Sequence, residues 1–165
     1  MAYFDPGSVI WNLESTNKLD AIREIIRNAR VFEEHERLET EEFTRIVIAR
    51  ERLQSTGFGH GVAVAHGRTD QVDEPVIALG ISQEGIDYDS YDGRPVHLLF
   101  IIANHPERQM DYLQLLSTLV LMVRDELFRR ELLDCTDASA AEQRLCGVFS
   151  KLIERQRLRA VKRTA

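Results

Sequence analysis

The sequence has few residues of the kinds that mark secreted, membrane-spanning or zinc-binding proteins. Its two cysteines, Cys135 and Cys146, have neither CxxC nor zinc-ligand spacing, which favours a reducing compartment and a small buried apolar role for each thiol. No apolar run approaches the roughly 20 residues that a bilayer span needs. Residues 1–11 lack the basic start and apolar core of a signal peptide. We therefore expect a cytoplasmic protein without membrane insertion.

Several common catalytic motifs are missing as well. The sequence contains no GxSxG elbow, no P-loop and no Rossmann glycine fingerprint. None of the five histidines forms an i, i+4 pair, and the acidic segment 87–92 lacks the twelfth-position glutamate of a calcium loop. We expect neither a metal nor a cofactor, and a metal-dependent enzyme is the least favoured class.

Charge is distributed unevenly along the 165 residues. The last 15 residues carry six Lys or Arg against a single acidic residue, Glu154, whereas the other 150 residues carry a net charge of −11. An acidic body gives no support to general nucleic-acid binding. The basic end has two interpretations, a solvated helix terminus or a contact for an acidic partner.

Apolar periodicity predicts alternating helices and strands. Residues 17–30 fit a helix capped by Asn17, and residues 40–53 fit a second helix with Thr40 as its cap and Leu53 on its apolar face. Strands are expected at residues 61–65, 75–82 and 96–103, the last of them apolar enough for a central strand. The fold class is therefore α/β (or α+β), a mixed sheet covered by helices.

Two more helices are expected in the last third of the chain. Residues 108–128 have helical periodicity, with Leu113, Val120 and Leu127 among the residues expected to face inward. Ser139 and Glu142 have capping-box spacing, which predicts that the last helix opens at Ser139.

A glycine-rich segment that ends on His66 is the strongest functional signal. Residues 55–68 read STGFGHGVAVAHGR, so three glycines in five residues lead into an apolar alternation and then the histidine. A neutral imidazole is a good nucleophile near pH 7. Arg50 and Arg68 are candidate positive charges, and Thr56 is a candidate hydrogen-bond donor. The alternative is that the glycines only shape a turn and Arg68 is solvated.

Over roughly residues 9–147 the chain resembles a known family, the fructose- and mannitol-type enzyme IIA of the bacterial phosphoenolpyruvate-dependent phosphotransferase system (PTS), including its nitrogen-regulatory branch. The family shows Arg-Glu, then STGxGxGIAIPHG, and later GIDxxxxDGxPV before an apolar strand. In this chain the corresponding segments are Arg50-Glu51, the run at 55–67, residues 85–96 and residues 97–103.

The resemblance implies a central mixed sheet with helices on both sides. It also implies that His66 is a phosphoryl acceptor, supplied by the phosphocarrier protein HPr or its nitrogen-branch counterpart. Arg50 and Thr56 match family residues near that histidine. The phosphoryl group would then pass to a IIB domain or report its state to a regulatory target. By the same resemblance, residues 1–148 form the IIA domain and residues 149–165 a basic helical extension.

Two residues depart from the family pattern. Ala65 replaces the proline before the histidine, and Tyr112 stands where the family often has a second histidine. A tyrosine can donate a hydrogen bond but offers no cation near neutral pH. Two functions are therefore expected from this sequence. The first is a free-standing phosphocarrier, and the alternative is a regulatory binding module with the IIA fold and impaired phosphoryl transfer.

Overall fold

One mixed sheet organises the chain, of which the computed structural model describes residues 3–165. Its strands are β1 (Val9–Ile10), β2 (Gly57–Gly59), β3 (Val62–Arg68), β4 (Val76–Ile86) and β5 (Val96–Asn104). Their spatial order is β1-β4-β5-β3-β2, with β3 parallel to β5 and β4 antiparallel to β5. The predicted mixed sheet and its central strand at residues 96–103 are confirmed.

Helices cover both faces of this sheet. They are α1 (Lys18–Asn28), α2 (Arg30–Glu33), α3 (Thr40–Leu53), α4 (Gln109–Val123), α5 (Glu126–Asp134) and α6 (Ala138–Thr164). Because side chains alternate along a strand, Ala63 and Ala65 of β3 lie in the core cluster shared with α1–α3. Val62 and Val64 lie in the cluster shared with α4–α6. The predicted arrangement of helices on both sides of the sheet is confirmed.

The predicted helix at residues 108–128 is two helices. The first ends at Val123, and Asp125 begins the second, because its carboxylate accepts hydrogen bonds from the backbone N–H groups of Leu127 and Phe128. The expected inner face was also wrong for three leucine and valine positions: Leu113, Val120 and Leu127 are 45%, 41% and 65% exposed. The buried face of α4 instead carries Tyr112, Leu115, Leu119 and Met122.

Two predicted caps were also wrong, although the helices exist. Asp137, not Ser139, caps α6 by accepting from the backbone N–H of Ala140 at 2.8 Å. Glu142 is not part of a capping box, since its Oε1 accepts from the N–H groups of Gly7 and Val9. Thr40 is the first residue of α3 rather than its cap. The Asn17 cap on α1 is confirmed, with its side chain accepting from the N–H of Asp20.

The glycines before His66 form the connection between β2 and β3. Gly59, His60 and Gly61 have consecutive φ values of 100°, 57° and 76°, a left-handed run that glycine adopts without strain. Gly57 lies so close to Ser90 that an added Cβ would be 2.5 Å from its Oγ. The expected strand at 61–65 is longer than predicted, so His66 lies within β3 instead of after it.

The C-terminal helix continues beyond the molecule's core. Leu145 and Phe149 are buried, and Leu152 and Ile153 are partly buried against the same cluster, whereas residues 157–165 are exposed. Cys135 and Cys146 are free thiols that are half-buried instead of buried as expected. Within residues 3–165, no helix has the length and apolar character needed to cross a membrane.

Candidate functional site

His66 lies on the face of β3 that packs toward α4, in line with Val62 and Val64. Its ring is half-buried, and its Nδ1 lies 3.4 Å from the backbone oxygen of Val64. A carbonyl oxygen only accepts, so this contact is satisfied when Nδ1 carries the proton. The lone pair then resides on Nε2, which is the nucleophilic atom of this tautomer.

The surroundings of His66 favour its neutral form. Burial lowers the pKa of the imidazole, and the nearby charges of Arg50 and Arg68 lower it further. The Val64 contact and the carboxylate of Glu51 act in the opposite direction, and the net effect is a pKa below the usual histidine value. The ring is therefore unprotonated, and hence nucleophilic, at neutral pH.

Tyr112 contacts this histidine from α4. The two ring centroids lie 5.5 Å apart, with the ring planes at 45°. Burial raises the pKa of the Tyr112 phenol, although Arg50 and Arg68 act to lower it. The hydroxyl is therefore protonated at neutral pH and can donate a hydrogen bond. The structure thus brings Tyr112 and His66 together.

Two arginines add positive charge at the same place. Arg50 lies in the last turn of α3, where its Nη1 donates to the backbone oxygen of Gln54 at 3.0 Å. Arg68 is exposed and follows His66 by two positions on β3, so both side chains leave the same face of the sheet. Both charges act on the pKa values of His66 and Tyr112. An anion beside His66 would therefore meet two cations.

Thr56 is held by a buried carboxylate and not by His66. Its backbone N–H donates to Oε1 of Glu51 at 2.9 Å, and its hydroxyl donates to Oε2 at 2.6 Å. The Tyr88 hydroxyl lies 3.1 Å from the Thr56 hydroxyl, and Lys18 Nζ lies 3.7 Å from Glu51 Oε1. The Thr56 hydroxyl therefore already has its hydrogen-bond partners, Glu51 and Tyr88, within this cluster.

Sequence reasoning noted Glu51 only as part of the Arg-Glu match and gave it no role in the site, and it did not single out Tyr88. Glu51 is 1% exposed, as is Tyr88. A signal for Glu51 was present, since it follows the buried Phe43 and Val47 at helical i, i+4 spacing. A carboxylate on the apolar stripe of a helix needs hydrogen-bond partners. No comparable pattern marks Tyr88, which lies in the loop after β4.

Two other histidines have partners of their own. His97 has a partner on the neighbouring strand β4, since its Nδ1 lies 2.8 Å from the backbone oxygen of Ser82. His60 is exposed, and its N–H donates to Asp92. Within residues 3–165, no three His, Cys, Asp or Glu residues are grouped so that they could hold a metal ion.

Comparison with known proteins places the chain in a family. The family profile described as phosphoenolpyruvate-dependent sugar phosphotransferase system, EIIA 2, matches residues 2–146. This chain belongs to that EIIA family. Proteins of the EIIA family are phosphotransfer components, which supports a phosphocarrier role for the chain.

Similar EIIA proteins come from both the sugar and the nitrogen branches. The chain is 35% identical over 130 residues to the fructose-specific EIIABC component of Bacillus subtilis, matching 78% of this chain and 20% of that protein. It therefore spans about a fifth of that relative's length. It is 35% identical over 108 residues to the fructose-specific EIIA component of Haloferax volcanii, covering 66% of this chain and 68% of that protein.

A solved structure also resembles the chain closely. The nitrogen regulatory protein IIA-Ntr from Neisseria meningitidis superimposes with a TM-score of 0.75 at 28% identity, covering 84% of this chain and 93% of that one. The EIIA fold that the sequence predicted is thereby confirmed.

Proposed function

We propose that this chain is a phosphocarrier that accepts a phosphoryl group on Nε2 of His66 from an HPr-like phosphocarrier protein. The observation that supports this most strongly is the state of the His66 ring. Nδ1 faces the Val64 oxygen, and burial together with two arginines lowers the pKa, so that Nε2 is a free nucleophile.

The transfer step needs only positioning and charge. The Nε2 lone pair forms the new P–N bond while the bond between phosphorus and the donor's phosphorylated group breaks, and the donor keeps that electron pair. Phosphoryl transfer spreads negative charge over the three equatorial oxygens. Arg50 and Arg68 would oppose that charge, and the Tyr112 hydroxyl would donate a hydrogen bond to one oxygen. Thr56 would act by fixing the glycine run.

The acceptor that follows His66 depends on the branch. EIIA proteins of the PTS work with phosphocarriers and IIB domains, so a IIB domain is one acceptor, and a regulatory target that senses the phosphorylated state is the other. Similarity to fructose components and to a nitrogen regulatory protein supports both. We propose that the protein acts in the cytoplasm, where such partners are found.

The basic C-terminal segment is proposed to be an extension of the EIIA domain. The family profile ends at residue 146, and α6 continues to Thr164. Phe149 is buried in the core, so the first turn of the proposed 149–165 extension also packs with the domain. Only residues 157–165 are exposed throughout.

A regulatory binding module with impaired transfer is the second candidate. Tyr112 favours it, because a phenol beside His66 supplies no cation at neutral pH where the family often has a second histidine. Its raised pKa keeps the phenol neutral, so Tyr112 contributes a hydrogen-bond donor but no charge.

Labelling from phosphoenolpyruvate separates the two candidates. The protein is incubated with phosphoenolpyruvate, enzyme I and HPr, and acid-labile protein phosphate is measured. We expect label on the wild type and on His97→Gln, a matched histidine control, and none on His66→Ala. No label on the wild type, while another EIIA protein is labelled in parallel, would support the binding module. Label that survives His66→Ala would place the acceptor elsewhere.

A further inference from the structure

Glu51 is a buried carboxylate at which four separate segments of the chain meet. Lys18 comes from the start of α1, Glu51 from the last turn of α3, Thr56 from the residue before β2, and Tyr88 from the loop after β4. Lys18 Nζ also lies 5.8 Å from the centroid of the Tyr88 ring. One carboxylate therefore joins both ends of the first helical layer to the segment that leads to His66.

Burying the Glu51 carboxylate lowers the stability of the fold unless its hydrogen bonds compensate. Removing a carboxylate from water is strongly unfavourable, and a buried ion pair commonly stabilises a fold no more than apolar residues of the same size would. Glu51 is 1% exposed and sits on an otherwise apolar stripe of α3. Its retention there is better explained by the two fixed hydrogen bonds that it accepts from Thr56 than by stability.

Those two bonds close the turn between α3 and the glycine run. Glu51 holds both donors of Thr56, and Arg50 Nη1 bonds the Gln54 oxygen within the same turn. The turn then continues into the sheet, because the Thr56 oxygen accepts from the backbone N–H of Val64 at 3.2 Å. Val64 is also the residue whose oxygen faces Nδ1 of His66. A continuous chain of contacts therefore runs from Glu51 through Thr56 and Val64 to His66.

We propose that Glu51 is a positioning residue for phosphoryl transfer at His66. It acts by clamping Thr56, which fixes Arg50 on one side and Val64 with the His66 ring on the other. This inference rests on the proposed phosphocarrier function, and it adds a residue that touches neither the phosphoryl group nor the donor. Tyr88 and Lys18 complete the clamp by contacting the hydroxyl and the carboxylate from outside.

The test compares isosteric variants that remove one part of the clamp at a time. Glu51→Gln removes the charge, and an amide accepts only one of the two Thr56 donors. Thr56→Val removes the hydroxyl, whereas Thr56→Ser keeps it. Glu41→Gln removes a carboxylate from the exposed first turn of the same helix and is the matched control. Each variant is assayed for kcat and KM of phosphorylation by phospho-HPr and for the His66 pKa by NMR titration.

We expect Glu51→Gln and Thr56→Val each to lower kcat at least tenfold with KM within twofold, because the buried clamp is out of the donor's reach. The double variant should be no slower than the slower single variant, since both remove the same contact. Thr56→Ser and Glu41→Gln should behave like the wild type. The His66 pKa should fall further in Glu51→Gln, because a nearby negative charge is lost.

Phosphorylation rates within twofold of wild type in folded Glu51→Gln and Thr56→Val would overturn the inference. This holds even if the melting temperature of these variants is lower. If Glu51→Gln does not fold, the contrast between Thr56→Val and Thr56→Ser decides. If the wild type takes no phosphate, the phosphocarrier proposal fails. The His66 pKa then decides on the clamp through variants that leave the charge unchanged: a shift in Thr56→Val that Thr56→Ser does not show supports it, and no difference overturns it.

Discussion

His66 and Tyr112 illustrate how single side chains set the chemistry of the site. The strand face places the imidazole against α4, and the Val64 oxygen orients Nδ1. Tyr112 supplies a protonated hydroxyl, and Arg50 and Arg68 supply fixed charge. Since a tyrosine lacks the charge of a second histidine, the two arginines are expected to provide most of the electrostatic stabilisation.

Replacing Tyr112 tests this division of roles. Tyr112→Phe keeps the buried ring and removes the hydroxyl, so we expect roughly a tenfold loss in the rate of phosphorylation, the scale of one lost hydrogen bond of about 1.4 kcal/mol in the transition state. Tyr112→His restores a second imidazole and should raise the rate. Stopped-flow or quench measurements with phospho-HPr report both rates. A rate for Tyr112→Phe equal to wild type would remove the hydroxyl from the site.

The lowered pKa of His66 predicts a pH dependence of stability. An unfolded histidine titrates near 6.5, whereas burial keeps the folded ring neutral to lower pH. Between these two pKa values the unfolded chain binds more protons, so the free energy of unfolding contributed by His66 rises with pH and is lost as pH falls below about 6.5.

Urea unfolding between pH 5 and pH 8 measures this dependence. The difference in unfolding free energy between wild type and His66→Gln should change in that window, with the wild type losing more stability toward acid. A constant difference across the window would contradict the lowered pKa of His66.

Among the secondary-structure elements, those with strong periodicity or an unambiguous cap could be predicted from the sequence. Asn17 capping α1 and the apolar run that forms β5 are examples. The break between α4 and α5 could not be predicted from periodicity, because the i, i+4 spacing of Val123 and Leu127 continues across it. Asp125 was the local signal for the break, since aspartate is favoured at helix caps and disfavoured in helix interiors. The inner face of α4 was misassigned because leucines occupy both faces, and only packing decides between them.

In the site, too, local sequence patterns predicted some features, while others depend on packing. The glycine run and His66 were recognisable from local sequence, whereas the Glu51 cluster joins residues separated by 5 to 70 positions. Such contacts depend on the packing of α1, α3 and the loop after β4, which no local pattern reports. Thr56 was therefore predicted as a donor toward the phosphoryl group, while its observed partners are Glu51 and Tyr88.

The two ends of helix α6 should contribute differently to the free energy of unfolding. Phe149→Ala removes a side chain that is 2% exposed and should lower the free energy of unfolding by about 3–5 kcal/mol. Deleting residues 157–165 removes only exposed positions and should change it by less than about 0.5 kcal/mol. Denaturant unfolding of both variants checks this. A large loss on deletion would show that the basic end packs on the domain.

The molecule as a whole has a helical layer on each face of its sheet, and both layers contribute to the candidate site on β3. The α1–α3 layer carries Arg50 and the Glu51 clamp, the α4–α6 layer carries Tyr112, and β3 holds His66 between them. Both layers must therefore be assembled before the site exists. The rest of the sequence combines an acidic body with a basic C-terminal end.

NMR of the phosphorylated protein, labelled with ¹⁵N in its histidine rings, identifies the acceptor atom. After treatment with phosphoenolpyruvate, enzyme I and HPr, we expect one phosphorus–nitrogen coupling, assigned to Nε2 of His66 and absent from His66→Gln. Coupling at another histidine would contradict the assignment of His66 as the phosphoryl acceptor. The absence of coupling in a sample whose NMR spectrum shows folded protein would contradict it as well.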